Sequence, residues 1–316
     1  MLRQATPEAI EAAAAQLRTG GLVAFPTETV YGLGADASNA LAVAALYSAK
    51  GRPTFNPLII HVAETRAVPA LAHMTPVAEQ LAAAFWPGPL TLVLANRDTR
   101  IVTELATAGL DTIAVRVPAH PVAQALLRAA NMPVAAPSAN RSGHVSPTTA
   151  AHVMADFGAG TATVLDGGPT PLGLESTVID ATGDAPLVLR LGAVTREDIA
   201  RALGRPVELA AGDADKPASP GMLARHYAPS ARLRLDVHAV ETGEALLAFG
   251  ADVPDHAGPM LNLSASGDLI EAAANLFAAL RALDASGAGA IAVMPIPERG
   301  LGEAINDRLR RAARPA

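Results

Sequence analysis

The chain has 316 residues, of which half are hydrophobic and 17% are charged. This composition excludes intrinsic disorder, and the length suits two domains. The formal net charge of −6, without a long run of Lys or Arg, does not fit a protein that coats nucleic acid or a membrane surface. The absence of Cys excludes disulfides, thiolate metal sites and a cysteine nucleophile.

Helical stretches alternate with short apolar runs over residues 1–205, which we predict to form the first domain. The predicted helices cover residues 7–18, 39–48, 76–85, 121–130, 149–157 and 196–203. The predicted strands cover residues 22–25, 58–62, 91–94, 113–117, 134–136, 163–165, 176–179 and 187–191. This alternation predicts an α/β fold with a mixed, largely buried sheet.

Residues 206–229 are rich in Pro, Gly, Ala and Asp and have no apolar periodicity, which predicts a linker. A second, smaller α/β domain is predicted over residues 230–316. Its predicted strands cover residues 233–237, 259–263 and 290–294, and its predicted helices cover residues 241–249, 268–283 and 301–313.

Glu8, Glu11 and Gln16 interrupt the N-terminal stretch where a signal peptide would need apolar residues. Together with the lack of Cys, this predicts a cytoplasmic protein. No apolar run approaches the roughly 18 residues of a membrane helix. We therefore predict no membrane span.

Several familiar catalytic motifs are missing from the sequence. There is no GxxxxGK[ST] loop, the GLG at residues 32–34 is not completed to GxGxxG, and neither HExxH nor GxSxG occurs. The eight His are scattered without the spacing of metal ligands, so we predict no metal held by protein side chains.

Polar segments that follow predicted strands are the remaining candidates, because open α/β sheets bind ligands there. Residues 25–37 contain Thr27, Glu28 and Thr29 before two glycines, although a glycine turn with Thr caps is the ordinary alternative. Residues 133–148 form a second polar segment, with an Asx or Ser turn as the alternative.

A third segment, residues 50–62, is basic. Lys50 is one of only two lysines in the chain, and it lies two residues before Arg52 and six before Asn56. Two cations so close repel each other unless an anion or solvent separates them, so the segment predicts phosphate binding. A solvated basic turn is the alternative.

Arg116 lies in the middle of a predicted apolar strand. An unpaired guanidinium buried there would cost several kcal/mol. Two explanations carry equal weight: Arg116 pairs with a carboxylate of the protein, or it binds a carboxylate or phosphate of a ligand.

Six segments in this order resemble one known family, the Sua5/YrdC/YciO proteins, whose members include L-threonylcarbamoyladenylate synthases. The segments are PTETVYGLG, KGRPTFNPL, FWPGPLTLVL, AAPSANRSG, GLESTVID and LRLG. The sequence SPGMLARHYAP at residues 219–229 resembles the linker of the two-domain Sua5 type, although that type usually has an aromatic or basic residue where Leu223 and Ala224 stand. The resemblance implies a YrdC-like twisted mixed open sheet followed by a Rossmann-like Sua5 domain.

The resemblance also implies a nucleotidyltransferase reaction. L-threonine, bicarbonate or CO2, and ATP would give L-threonylcarbamoyladenylate and pyrophosphate, with Mg2+ accompanying ATP. The product would pass to the tRNA threonylcarbamoyl transferase machinery for t6A modification at position 37 of tRNA. Direct contact with tRNA is left open.

Functional residues are implied at matching positions. Lys50 and Arg52 are the implied catalytic residues, and Arg52 is also one of the ATP contacts. The remaining implied ATP contacts are Asn56, Thr112, Ser138, Ser146, Arg190 and Tyr227, the last reaching from the linker over the nucleotide. The implied L-threonine contacts are Thr29, His61, Arg116, Ala136 and Ser176.

Two alternatives remain at this point. A carbamoyltransferase module that forms a carbamoyl-adenylate is related, but such proteins carry Cys-rich zinc regions that this chain lacks. A noncatalytic RNA-binding protein is the other, and the net charge of −6 and the ten aromatic residues argue against it.

Overall fold

The computed structural model describes residues 1–98, 100–210 and 226–314. Residues 219–225 of the linker motif therefore lie outside the described residues. No helix within the described ranges is both long and apolar enough to cross a membrane.

The α-helices begin mostly at side chains that accept a hydrogen bond from the first turn, as Thr6, Thr75 and Thr149 do. In the described ranges they are α1 Pro7–Arg18, α2 Ala40–Lys50, α3 Val68–Leu71, α4 Pro76–Phe85, α5 Glu104–Thr107, α6 Pro121–Ala130, α7 Ala150–Phe157, α8 Arg196–Leu203, α9 Leu269–Asp284 and α10 Leu301–Ala312.

The strands are short and mostly buried. In the first unit they are β1 Leu2–Gln4, β2 Val23–Pro26, β3 Tyr31–Asp36, β4 Ile59–His61, β5 Ala72–His73, β6 Leu90–Asn96, β7 Thr112–Arg116, β8 Val134–Ala135, β9 Thr163–Asp166, β10 Thr177–Asp180, β11 Leu187–Arg190 and β12 Glu208–Leu209. In the second unit they are β13 Arg232–Arg234, β14 Glu244–Ala248, β15 Met260–Asn262 and β16 Ala290–Val293.

The strands of the first unit form one mixed sheet in the order β1-β9-β2-β3-β8-β4-β7-β6-β10-β11-β12, with β5 beside β6. For example, β4 and β7 are parallel whereas β6 and β7 are antiparallel. Consecutive residues of β2 face opposite sides: Ala24 packs with the cluster under α2 and α4, and Phe25 packs with the cluster under α1 and α6. The predicted mixed α/β sheet is confirmed.

The second unit is a parallel sheet in the order β13-β16-β14-β15. Its core joins Leu247 and Ile291 of the sheet to Phe277 of α9 and Ile305 of α10. The predicted second α/β unit is thus confirmed.

One predicted element of the second unit is wrong. Residues 241–249 were expected to be a helix, but Glu244–Ala248 form the buried strand β14. Gly243 and Gly250 flank this strand, and both have positive φ. A short apolar run without clear periodicity fits a buried strand as well as a helix. Only its pairing between β15 and β16 identifies this run as a strand.

The predicted linker begins inside the first sheet, since β12 lies within residues 206–229 and pairs with β11. Further contacts join the units. Val30, Val145 and Leu174 of the first unit pack into the apolar cluster of the second. The core of the second unit therefore extends onto the first.

Candidate active site

A cavity of ≈ 40 Å³ lies where loops next to β3, β4, β8 and β10 meet the chain that enters the second unit. Its wall contains most of the residues singled out from the sequence. Those lining it are Thr29, Arg52, His61, Arg116, Ala136, Ser138, Ser176, Arg190 and Tyr227.

Arg116 ends β7 and is buried. Its Nη2 donates to Glu28 Oε1 at 2.5 Å, its Nη1 to Thr29 Oγ1 at 3.0 Å and its Nε to the Gly88 carbonyl at 3.2 Å. Of the two explanations for a charge in this strand, pairing with a protein carboxylate is the one observed. Burial raises the pKa of Glu28, but the charge and hydrogen bond of Arg116 outweigh it and hold that pKa below its ordinary value.

His61 lies beside Arg116, because β4 and β7 pair these two residues. Burial, reinforced by the charge of Arg116, lowers the pKa of His61 to about 3. The imidazole is therefore neutral at pH 7 and contributes hydrogen-bonding atoms without charge. Its Nδ1 is 3.2 Å from the Ile59 carbonyl.

Ser176 directly precedes β10 and lines the cavity. Its hydroxyl is 2.7 Å from the Thr91 hydroxyl, and Arg190 Nη2 donates to it at 3.0 Å. Arg190 also donates to the Ser176 carbonyl from Nε and Nη2. These bonds fix the Ser176 hydroxyl at the cavity wall.

Lys50, at the end of α2, does not line the cavity. Its Nζ donates to the carbonyls of Ser138 at 2.6 Å and Asn140 at 2.5 Å, so the ammonium holds the loop that follows β8. Burial and then the charge of Arg52 lower the pKa of Lys50 well below its ordinary value. The sequence predicted Lys50 as a functional residue, but it did not predict the bonds of Lys50 to the loop after β8.

Arg52 and Asn56 belong to the same loop. Arg52 donates to the carbonyls of Asn56 and Pro57, and burial lowers its pKa to about 10. Within the part of the chain that the structure describes, neither Lys50 nor Arg52 forms an ion pair. These buried basic side chains, without an ion pair in the described ranges, create a positive potential beside the cavity, which favours an anion.

Thr112 and Ser146 are not among the residues that line the cavity. Thr112 begins β7, roughly 13 Å from Arg116 at 3.3 Å per residue. Because β4 and β7 are parallel, Thr112 lies at the same end of the sheet as Asn56. Ser146 is buried and donates to Glu175 Oε1 at 2.5 Å.

His226 and Tyr227 close the cavity from the side of the second unit. Tyr227 is fully buried with a positive φ of 63°, and its ring stacks on Phe277 at 5.7 Å between centroids. The two rings of His226 and Tyr227 meet edge to face at 3.9 Å. The described end of the linker is therefore part of the cavity wall.

Several buried polar atoms around the cavity have no hydrogen-bond partner among the described residues. They are both amide atoms of Asn56, Asn140 Oδ1, His226 Nδ1 and Tyr227 Oη. Unpartnered buried polar atoms are rare in native proteins, so their concentration here indicates a place for a polar ligand.

Glu175, within the GLESTVID segment, is a site residue that the sequence does not predict. Glu175 lines the cavity and binds Ser146. A carboxylate directly before a buried strand was the available signal. Across the described ranges, no group of three or more His, Asp or Glu is arranged to hold a metal ion.

Two family models match the chain. Residues 15–192 match the Sua5/YciO/YrdC model, described as "Telomere recombination", and residues 194–314 match one described as "Threonylcarbamoyl-AMP synthase, C-terminal domain". The chain belongs to the Sua5/YciO/YrdC family. The resemblance seen in the sequence is confirmed, and the two matches follow the family's two-domain form.

Named relatives of this family match both units. A threonylcarbamoyl-AMP synthase of Pyrococcus abyssi is 44% identical, covering 96% of this chain and 94% of the relative. One of Bacillus subtilis is 42% identical, covering 96% and 92%. The crystal structure of P. abyssi Sua5 complexed with L-threonine has a TM-score of 0.90 at 41% identity, covering 99% of this chain and 96% of that one.

Proposed function

We propose that the chain is a threonylcarbamoyl-AMP synthase, a nucleotidyltransferase that makes L-threonylcarbamoyladenylate for t6A modification of tRNA. The observation that carries this proposal is that threonylcarbamoyl-AMP synthases of two organisms match this chain over nearly its whole length. The cavity supports it, because it combines buried cations for phosphates with a polar pocket for an amino acid.

L-threonine is assigned to the end of the cavity where β4 and β7 terminate. Thr29, His61, Arg116, Ala136 and Ser176 meet there. The Nη1 of Arg116 exchanges its bond to the Thr29 hydroxyl for a threonine carboxylate oxygen, while Glu28 keeps Nη2 in place. A neutral His61 adds no second charge, so the carboxylate meets a single guanidinium.

ATP is assigned to the remaining wall, towards Asn56 and Thr112. Arg52, Ser138 and Arg190 line the cavity between the two ends. The amide of Asn56, which has no partner among the residues that the structure describes, is suited to hydrogen bonds with the nucleotide. In this arrangement Lys50 contributes positive potential and fixes the Ser138–Asn140 backbone rather than approaching the phosphates as their first contact.

The reaction requires positioning and charge neutralisation rather than a protein nucleophile. The amine of threonine adds to CO2 and releases a proton, which gives a carbamate. A carbamate oxygen then attacks the α-phosphorus of ATP, the bond to the bridging oxygen breaks, and pyrophosphate leaves with the electron pair. Arg52 and Arg190 stabilise the charge that moves towards pyrophosphate.

Mg2+ is proposed only as a companion of the triphosphate. The described residues offer no cluster of metal ligands, and Glu28 and Glu175 already bind arginines. Mg2+ commonly keeps several waters and binds substrate phosphates. No step of the reaction is assigned to a metal held by the protein.

Tyr227 is proposed as a cover over the nucleotide. The cavity volume of ≈ 40 Å³ is far below the roughly 300 Å³ or more of ordinary ligand pockets. His226 and Tyr227 must therefore move outward for ATP to enter, and their return would shield the reactive adenylate from water.

The decisive experiment is pyrophosphate release with each substrate omitted in turn. We expect release only when ATP, bicarbonate and L-threonine are all present. Equal pyrophosphate release without L-threonine would contradict the assignment of the chain as a threonylcarbamoyl-AMP synthase. A salt-sensitive shift of tRNA without any pyrophosphate would instead support the RNA-binding alternative.

We propose that the product passes to the tRNA threonylcarbamoyl transferase machinery and that the protein acts in the cytoplasm. A coupled assay that adds the transferase and tRNA tests the transfer, and the expected result is t6A formation that depends on this chain.

A further inference from the structure

Arg308 of α10 belongs to the second unit, yet its side chain ends at the active site. The side chain is completely buried. Its Nε donates to Glu175 Oε2 at 2.9 Å, its Nη2 to the Leu191 carbonyl at 2.7 Å and its Nη1 to Asp307 Oδ2 at 2.7 Å. All three nitrogens are thus committed to fixed acceptors.

Glu175 carries this contact into the cavity wall. One carboxylate oxygen accepts from Arg308 and the other accepts from the Ser146 hydroxyl at 2.5 Å. Burying two ions is costly unless each is paired and hydrogen-bonded. Here the pairing fixes the rotamer of Glu175, and Glu175 in turn fixes the hydroxyl of Ser146.

Arg308 also contacts the covering residue Tyr227. The guanidinium carbon lies 4.8 Å from the centroid of the Tyr227 ring, which is a cation–π distance. One arginine of the second unit therefore holds two residues for which the family resemblance implies ATP contacts, Ser146 through Glu175 and Tyr227 directly.

A second arginine acts on the same segment from α9. Arg281 donates to the Val145 carbonyl at 2.5 Å and pairs with Asp156 of α7. The loop before Glu175 is pressed against α9 as well, because a Cβ on Gly173 would lie 2.4 Å from the Ala273 carbonyl oxygen. The second unit thus fixes both segments that meet at the Glu175–Ser146 bond.

We propose that Arg308 is a positioning residue through which the second unit sets the nucleotide side of the active site. The inference rests on the proposed function, because it assigns Ser146 and Tyr227 to ATP. It adds a role that Arg308 performs without touching a substrate. Among the described residues, Arg308 forms no hydrogen bond with Arg116, His61 or Thr29 of the threonine site. The Ser176 hydroxyl of that site is held by Thr91 and Arg190 instead.

The test is a steady-state comparison of Arg308→Lys with the wild-type chain. Lysine keeps the charge but cannot reach Glu175 and the Leu191 carbonyl together. We expect the KM for ATP to rise about tenfold while the KM for L-threonine stays within about twofold. The paired variant Glu175→Gln with Arg308→Met leaves no unpaired charge. It should show the same rise in the KM for ATP with little change in the KM for L-threonine.

The matched control is Arg196→Met with Glu303→Gln. That ion pair also joins the two units, but its members lie outside the cavity wall. It should leave both KM values unchanged. An unchanged KM for ATP in both Arg308 variants overturns the inference, and so does an equal rise of both KM values with a matching loss of thermal stability. A wild-type chain that releases no pyrophosphate overturns the proposed function first, and this inference with it.

Discussion

Lys50 has a geometry that an arginine cannot reproduce. Its ammonium lies in a buried site between two carbonyls at 2.6 and 2.5 Å. A planar guanidinium is larger and needs a different spacing of acceptors. We expect Lys50→Arg to lower kcat/KM by more than about tenfold, or ~1.4 kcal/mol.

The same variant separates two roles for Lys50. Circular dichroism and the melting temperature establish that the fold is kept. If the ammonium only holds the loop after β8, the KM for ATP rises and kcat changes less. Wild-type turnover in Lys50→Arg would show that neither the loop nor the chemistry depends on an ammonium at this position.

His61 predicts a pH dependence of stability. Its pKa in the fold, about 3, lies below its ordinary 6.5. Between these values the unfolded chain binds a proton that the folded chain does not, so the free energy of unfolding falls as the pH drops below 6.5. From pH 7 to pH 5 this one group removes about 2 kcal/mol.

Urea unfolding at pH 7 and pH 5 measures this effect. His61→Gln should lose less stability over that interval than the wild-type chain, by about the amount stated. His73→Gln, at an exposed position of β5, is the control and should behave like the wild type. Parallel losses in the wild type and His61→Gln would contradict a neutral buried imidazole.

At the residue scale, the sequence identified the residue types of the site better than their partners. Arg116 was recognised as a charge that needs a partner, but Glu28 is 88 positions away in sequence. Lys50 was recognised from its rarity, but its bonds to the Ser138–Asn140 loop depend on how α2 meets β8. Such pairings follow from tertiary packing, which local patterns do not specify.

At the element scale, regular helices were predictable because capping and apolar periodicity agree there. Helix α1 has Thr6 as its cap and ends where predicted. Strands β3 and β14 were missed for opposite reasons. The glycines of β3 resemble a loop, whereas the leucines and alanines of β14 resemble a helix, and only burial on both faces makes it a strand.

The loop that leads into β10 offers a test of how the two units touch. Gly173 has φ +67° and abuts the backbone of α9, whereas Gly168 has φ +83° with open space around it. Alanine at either position brings backbone strain, but only Gly173→Ala also forces α9 away. We expect it to cost about 2 kcal/mol more than Gly168→Ala.

Urea unfolding of both variants measures the difference, and ATP affinity shows its effect on the site. Displacing α9 should also weaken ATP binding in Gly173→Ala, because Glu175 lies two residues further on. Equal free energies of unfolding for the two alanine variants would mean that α9 can move away from residue 173 without loss of stability.

At the scale of the whole molecule, the first unit has a core of its own. Among the described residues, the clusters around β2 and β4 contain only residues from the first unit. We expect a chain that ends after Ala210, which keeps β12, to fold but to bind ATP at least about tenfold more weakly, because Arg308 and Tyr227 are lost.

Calorimetric titration with ATP and a melting curve test this truncation. A lower melting temperature is expected as well, since Val30, Val145 and Leu174 lose their cover. Wild-type affinity in the truncated chain would show that the second unit does not shape the nucleotide side.

Both α/β units were predictable from the sequence, but their interface was not. The ion pairs Arg196–Glu303, Arg281–Asp156 and Arg308–Glu175 each join residues more than 100 positions apart. Each arginine alone resembles an ordinary charge on a helix. Burial distinguishes Arg308 from the others, and burial requires the assembled fold.

The small size of the cavity also bears on the speed of binding. If the chain must open before ATP enters, the observed rate of association approaches a ceiling at high ATP instead of rising in proportion to concentration. Rapid mixing with a fluorescent ATP analogue should show that ceiling, and Tyr227→Ala should raise it. A linear dependence up to high concentration would mean that the nucleotide enters without waiting for the protein. The contacts of Tyr227 with Phe277 and Arg308 would then set how long ATP stays rather than how fast it arrives.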